Sequence, residues 1–247
     1  MRTSPIAFLL FIALTFSRCH PKILTSHESS FLSVQQDVEQ EKDLFEMIQP
    51  YRKNLEAEMN LPIGYSDMEM SHGGIGETAL GNFVADVQKS FAEEIFGYEI
   101  DLSVMNNGGL RNSLPKGEIT IRNIYEISPF DNYLYILALE AKDIQDLAEY
   151  IVQNKNLGIN GMLLKSEAGV IETLKLNGEE LQEGRVYKLV INDYLANGGD
   201  NMTFLKYLPR MEISNHLLRD ILIRQIKLQK NKGLSISSQI EGRQIFN

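Results

Sequence analysis

An α+β fold, with mixed β-sheets and flanking helices, is what this sequence predicts, on three observations. Apolar residues recur at three- and four-residue steps from Leu80 to Phe91 and from Ile144 to Ile151, the pattern of helices with one buried face. Short apolar runs at 102–105, 119–121, 133–139 and 186–191 read as strands bounded by Gly-, Asn- and Pro-rich turns. The two kinds of segment are interspersed along 247 residues that are 43% hydrophobic and 23% charged, enough for one well-buried domain with extensions.

At the N-terminus, Arg2 precedes the apolar run from Ile6 to Leu14, which is too short to span a bilayer and suits the core of a signal peptide, so 1–19 is expected to be a leader. The single cysteine, Cys19, follows where a bacterial lipoprotein is cleaved and acylated, although Arg18 stands where small residues are usual. Lipid anchoring at Cys19 and simple secretion with an incidental cysteine are the two readings; an internal disulfide is excluded. The expectation is an exported chain, a periplasmic or outer-membrane lipoprotein of a bacterium.

Residues 20–40, rich in Ser, Gln, Glu and His, read as a tether. A folded domain is expected over 41–210, with a C-terminal helix and tail over 211–247. Leu44, Phe45, Ile48, Leu55 and Met59 have partly helical spacing interrupted by Pro50, which predicts two short helices or a kinked one. The next helix starts near Glu77 and buries Leu80, Phe83, Val84, Val87 and Phe91. Ser71-His72-Gly73-Gly74-Ile75-Gly76 before it lacks the Lys-Ser/Thr of a phosphate-binding loop and reads as a turn or as a ligand contact.

Strand 102–105 runs into the turn Asn106-Asn107-Gly108-Gly109-Leu110-Arg111, and strand 186–191 into Asp193-Tyr194-Leu195-Ala196-Asn197-Gly198-Gly199-Asp200. Asn177-Gly178 predicts a hairpin. The last helix is expected to be capped by Ser214 and to carry Leu217, Leu218, Ile221 and Leu222. Two Gly/Asn-rich loops that each follow a strand, with Phe130 and Tyr194 in or beside loops, match a ligand site built on strand ends; plain tight turns and core aromatics match it too. The formal net charge of −9, without a Lys/Arg cluster, excludes duplex DNA or RNA and anionic membrane surfaces as partners.

Four segments in order carry a resemblance: 77–86 (Glu-Thr-Ala-Leu-Gly-Asn-Phe-Val-Ala-Asp), Asn106 to Arg111, Pro129-Phe130-Asp131-Asn132, and Tyr194 to Asp200. Together they look like the signature of the 5'-nucleotidase C-terminal domain, over roughly residues 44–208. The resemblance implies that Phe130 and Tyr194 clamp a nucleobase, that Asp200 accepts hydrogen bonds from ribose hydroxyls, and that Asn106 and Arg111 contact substrate. The structural alternatives are Asn106 as a turn residue, Arg111 as a surface ion pair and Asp200 as a helix cap. Family members that hydrolyse nucleoside monophosphates commonly carry a further Arg just before the first motif, where this chain has Gly73, Gly74 and Gly76.

Catalysis in that family resembles two-metal phosphoester hydrolysis, with ligands in a separate N-terminal domain announced by Asp-x-His, Gly-Asn-His and His-x-His motifs. None of these motifs occurs here, and His20, His27, His72 and His216 are scattered. The chain is therefore expected to hold no cofactor and no catalytic residue, the divalent metals belonging to a partner metallophosphatase. Three readings result: the specificity half of a split 5'-nucleotidase-type hydrolase, a stand-alone nucleoside-binding lipoprotein, and a scaffold with a decayed site.

Overall fold

The computed structural model describes residues 29–31, 33 and 41–247. The expected leader, Cys19 and nearly all of the expected tether lie outside the described residues. Residues Ile48–Asn247 form one compact unit, so the segment after 210 is integral to the folded body. Helix α1 (Lys42–Met59) is a single helix with Pro50 inside it, not two, and none of its residues is buried. Of its apolar stripe, Met59 at the helix end packs against the core.

Strand β1 (Pro62–Ser66) pairs antiparallel with β3 (Gly117–Thr120). Between them come helix α2 (Ala79–Phe96) and strand β2 (Leu102–Asn106). The side chain of Thr78 caps α2 by accepting from the Gly81 N–H at 3.0 Å. The five apolar positions expected of this helix are all buried. Ile121 does not end a strand. It opens the short helix α3 (Ile121–Ile127), started by a capping box between Thr120 and Asn123.

A central sheet of five strands has the order β5-β2-β8-β4-β9, with β4 spanning Tyr133–Leu139, β5 Leu157–Asn160, β8 Tyr187–Asn192 and β9 Arg210–Leu217. Met105, Ile136 and Val190 point to one face, against α2, α3 and the helix α6 (Leu218–Asn231). Leu102, Val104, Leu137, Leu189 and Ile191 point to the other, against α4 (Ala141–Asn154), and β8 runs into the short helix α5 (Asp193–Ala196). Covered on both faces, β2 is buried along its whole length rather than alternating. Residues 210–217 join this sheet by pairing with β4, so Ser214 sits in a strand and caps no helix.

A second sheet has the order β10-β6-β7, from Gln244–Phe246, Met162–Glu167 and Val170–Leu176. Its hairpin turns at Ala168-Gly169, both at positive φ. Asn177-Gly178 also takes positive φ, but the polar residues beyond it form only the one bridge Leu176–Glu179.

Three residues of the first motif serve the chain's own end. Glu77 accepts from the Glu241 and Arg243 N–H groups at 2.8 and 2.9 Å, Asn82 donates to the Gln239 carbonyl at 2.9 Å, and Asp86 receives both terminal nitrogens of Arg243 at 2.5 and 2.9 Å. Arg243 also donates to the Ile159 carbonyl at 2.7 Å, and its side chain is almost buried. Arg243→Met should remove the side-chain half of this clasp, leaving the backbone bonds to Glu77 and Asn82, and cost about 2 kcal/mol, read as a lower urea midpoint; an unchanged midpoint would show that the Arg243 side chain does not hold the fold.

Candidate functional site

Register brings three loops to one end of the central sheet. Strand β2 runs parallel to β8, so their following loops leave at the same end, and Leu134 of the antiparallel β4 pairs with Asn192 at the end of β8. The loop that leads into β4 therefore arrives beside the two that leave. Ligand sites at the carboxyl ends of parallel strands have the same origin.

These loops enclose a cavity of about 330 Å³ lined by Asn106, Gly108, Gly109, Arg111, Phe130, Asn132, Tyr194 and Asp200. All five residues singled out in the sequence stand around it. Phe130 and Tyr194 are 42% and 48% exposed, which core aromatics would not be. A wider, open depression of about 840 Å³ includes Lys89, Glu93, Asp101, Glu179 and Arg185. Its charges are taken up by one another, with Arg185 2.7 Å from Asp101 and 3.4 Å from Glu179.

Asp200 is held from several directions. Its carboxylate accepts from the buried Asn106 Nδ2 at 2.7 Å and from the Tyr194 hydroxyl at 2.8 Å, and the Tyr150 hydroxyl donates to its carbonyl at 2.7 Å. Burial pushes the Tyr150 hydroxyl above its usual range, and the charge of Asp200 adds to the shift, so this donor keeps its proton. Asp200 itself has φ +49°, in the left-handed region that Asn and Asp enter more readily than other non-glycine residues. Gly199 is required by contact: a Cβ there would lie 2.5 Å from the Tyr194 ring. The double glycine lets the chain double back against the ring and bring Asp200 to its hydroxyl.

Asn106 is thus more than a turn residue, since Asn192 Nδ2 donates to its Oδ1 at 3.4 Å while it donates to Asp200. Asp200 caps no helix. Among the described residues Arg111 has no carboxylate within ion-pair distance; its guanidinium lies 5.1 Å over the Phe130 ring. Sequence reasoning did not single out Asn132, Asn192 or Tyr150. Asn132 lies inside the third motif and could have been read from it, whereas Tyr150 comes from the middle of a helix with no local signal. The Ser71 to Gly76 loop does not line the cavity.

Among the described residues no three His, Cys, Asp or Glu side chains gather as metal ligands. His72 Nδ1 lies 3.2 Å from the Ser113 hydroxyl, and His216 packs edge-on against Phe91; His20 and His27 lie outside the described residues. A two-metal centre does not fit these residues. What the cavity offers is two aromatic faces, a fixed carboxylate, an amide and a guanidinium.

The family model described as "5'-nucleotidase, C-terminal domain" matches residues 56–207, more than half of the chain. Among curated proteins, the chain is 27% identical over 236 residues to the Trifunctional nucleotide phosphoesterase protein YfkN of Bacillus subtilis, covering 87% of this chain and 16% of that one. It is 29% identical over 187 residues to the Cell wall protein Lmo0130 of Listeria monocytogenes, covering 69% and 24%. Among solved structures, the 5'-nucleotidase precursor of Thermus thermophilus superposes with a TM-score of 0.70 at 24% identity, over 83% of this chain and 43% of that chain. The chain thus spans less than half the length of each of these relatives.

Proposed function

The chain belongs to the 5'-nucleotidase C-terminal domain family, and from that premise we propose that it is the nucleoside- or nucleotide-binding specificity domain of an extracytoplasmic 5'-nucleotidase-type hydrolase. The observation that carries this reading is that Phe130 and Tyr194, both half exposed, line one cavity with the fixed carboxylate of Asp200. A base between the two rings would put its ribose diol at Asp200, whose remaining lone pairs accept both hydroxyls. Stacking is worth about 1–3 kcal/mol per base face, so a two-sided clamp alone supports binding on the order of millimolar, and the polar contacts must tighten it. Metal-dependent hydrolysis is assigned to a metallophosphatase acting with this chain. In support, the relatives are longer proteins, one of them called a nucleotide phosphoesterase. Export agrees with the leader-like N-terminus and with a relative called a cell wall protein; a lipid anchor at Cys19 would attach the chain to a membrane.

A second reading, a nucleoside-binding lipoprotein with no hydrolase partner, is favoured by the poor phosphate equipment. Among the described residues Arg111 is the only cationic side chain lining the cavity. The glycines before the first motif do not replace the missing arginine, and Gly76 has no room for one, because a Cβ there would lie 2.7 Å from the Phe246 ring.

Titrating adenosine, AMP and adenine into the purified protein in a calorimeter tests the site. Saturable adenosine binding stronger than that of adenine is expected; no heat from any of the three would overturn nucleoside recognition. AMP binding much tighter than adenosine favours the hydrolase reading, and adenosine as the tighter ligand favours the second. Tyr194→Phe keeps the ring and frees the Asp200 carboxylate, so it should weaken adenosine about three- to tenfold and leave adenine unchanged. Equal losses for both ligands would show that the hydroxyl does not act through the ribose.

A further inference from the structure

We propose that Arg219, which lies outside the segment matched by the family model, is a positioning residue that sets the Phe130 ring in the cavity; the inference deepens the nucleoside-binding reading and rests on it for its functional meaning. Arg219 occupies the first turn of α6. Its side chain is 10% exposed, yet its guanidinium donates to the Asp131 carboxylate at 2.7 Å and to the Pro129 carbonyl at 3.3 Å. It therefore grips the residue on each side of Phe130. The neighbouring Leu218 N–H donates to the Asn132 carbonyl at 2.8 Å, so the start of α6 binds three of the four residues of this loop motif.

The guanidinium is a poor stabilising device. Among the described residues its Nε has no hydrogen-bond partner, and the Asp131 side chain is 72% exposed. A nearly buried cation with an unpaired donor and a solvated counter-charge gains little for the fold. Its ring contact is with Tyr125, 4.4 Å below, which fixes the plane of the guanidinium and so the direction of both bonds to the loop.

The other flank of the loop is tied to the opposing ring. Asp193 Oδ1 accepts from Asn132 Nδ2 at 3.1 Å, from the Tyr133 N–H at 3.3 Å and from the Tyr194 N–H at 2.9 Å. One carboxylate thus couples the loops carrying the two rings, and Arg219 closes the frame from the far side. Holding the rings at a set separation before the ligand arrives removes ordering from the binding step.

The chain contains no tryptophan, so Phe130→Trp introduces a single tryptophan at the ring position, which red-edge excitation reads apart from the ten tyrosines. In that background, Arg219→Met should raise the amplitude of fast anisotropy decay without any ligand, with the bulk of the protein still folded by circular dichroism. A folded Arg219→Met variant whose decay is unchanged overturns the proposal. Should Arg219→Met fail to fold, Asp131→Ala cuts the same tie at an exposed side chain and is expected to give the same increase; an unchanged decay there overturns the proposal equally. In the chain with Phe130 intact, Asp131→Ala should weaken adenosine about tenfold. Absence of adenosine binding to the unsubstituted protein would sink the nucleoside reading alone, because the anisotropy needs no ligand.

Discussion

Phe130→Ala should weaken adenosine binding by about 5- to 150-fold, the range that corresponds to about 1–3 kcal/mol for one stacked face. The same change should leave the folded state nearly untouched, because the ring is only half covered and belongs to neither core cluster. Calorimetry with adenosine alongside a urea transition separates the two effects. Arg111 is also affected: its guanidinium lies over the Phe130 ring, and without the ring it is free to swing. AMP should therefore lose less than adenosine. An adenosine affinity within twofold of the parent protein would remove Phe130 from the site.

The second large effect concerns stability. Gly158 on β5 touches Gly81 on α2 backbone to backbone; a Cβ at Gly158 would lie 2.5 Å from the Gly81 carbonyl carbon and oxygen. No rotamer relieves such a contact, because neither partner is the end of a flexible side chain. Gly158→Val should cost about 3 kcal/mol or more, lowering Tm by roughly 6–12 °C in a protein of this size. A melt within about 2 °C of the parent would mean that α2 can retreat from the sheet without loss.

What could be read in the sequence followed physical locality. The helix from Ala79 was legible because five apolar residues mark one face, and β4 because seven residues run apolar between turn signals. The same reasoning misplaced Ser214: its segment is committed by pairing with β4, a partner more than seventy residues away that no cap signal reveals. The hairpin dipeptide Asn177-Gly178 did adopt its turn, but the residues after it are too polar to return as a strand, and the hairpin formed at Ala168-Gly169 instead. Pro50 suggested a break, and α1 continues through it.

The cavity was legible only through the order of its four motifs; spacing by itself favoured plain turns and core aromatics. Motif reading also assigned weight without assigning place. Asn106, Arg111, Phe130, Tyr194 and Asp200 converge on the cavity, whereas Glu77, Asn82 and Asp86 of the first motif hold the C-terminal segment. The ties that fix the rings, Arg219 to the Phe130 loop and Asp193 between the two loops, span 88 and 61 residues in sequence. Contacts at such separation leave no periodicity and no local composition to read.

The clasp between Glu77, Asp86 and Arg243 sets the order in which this molecule can be made. A ribosome releases the signature helix long before it releases Arg243 and the strand Gln244–Phe246, which enters its sheet parallel to β6. Until then Glu77 and Asp86 hold only their bonds from Asn82 and Asn160, and the three-stranded sheet lacks an edge. Closure therefore waits until the segment through Phe246 has been made, a long-range contact that forms late.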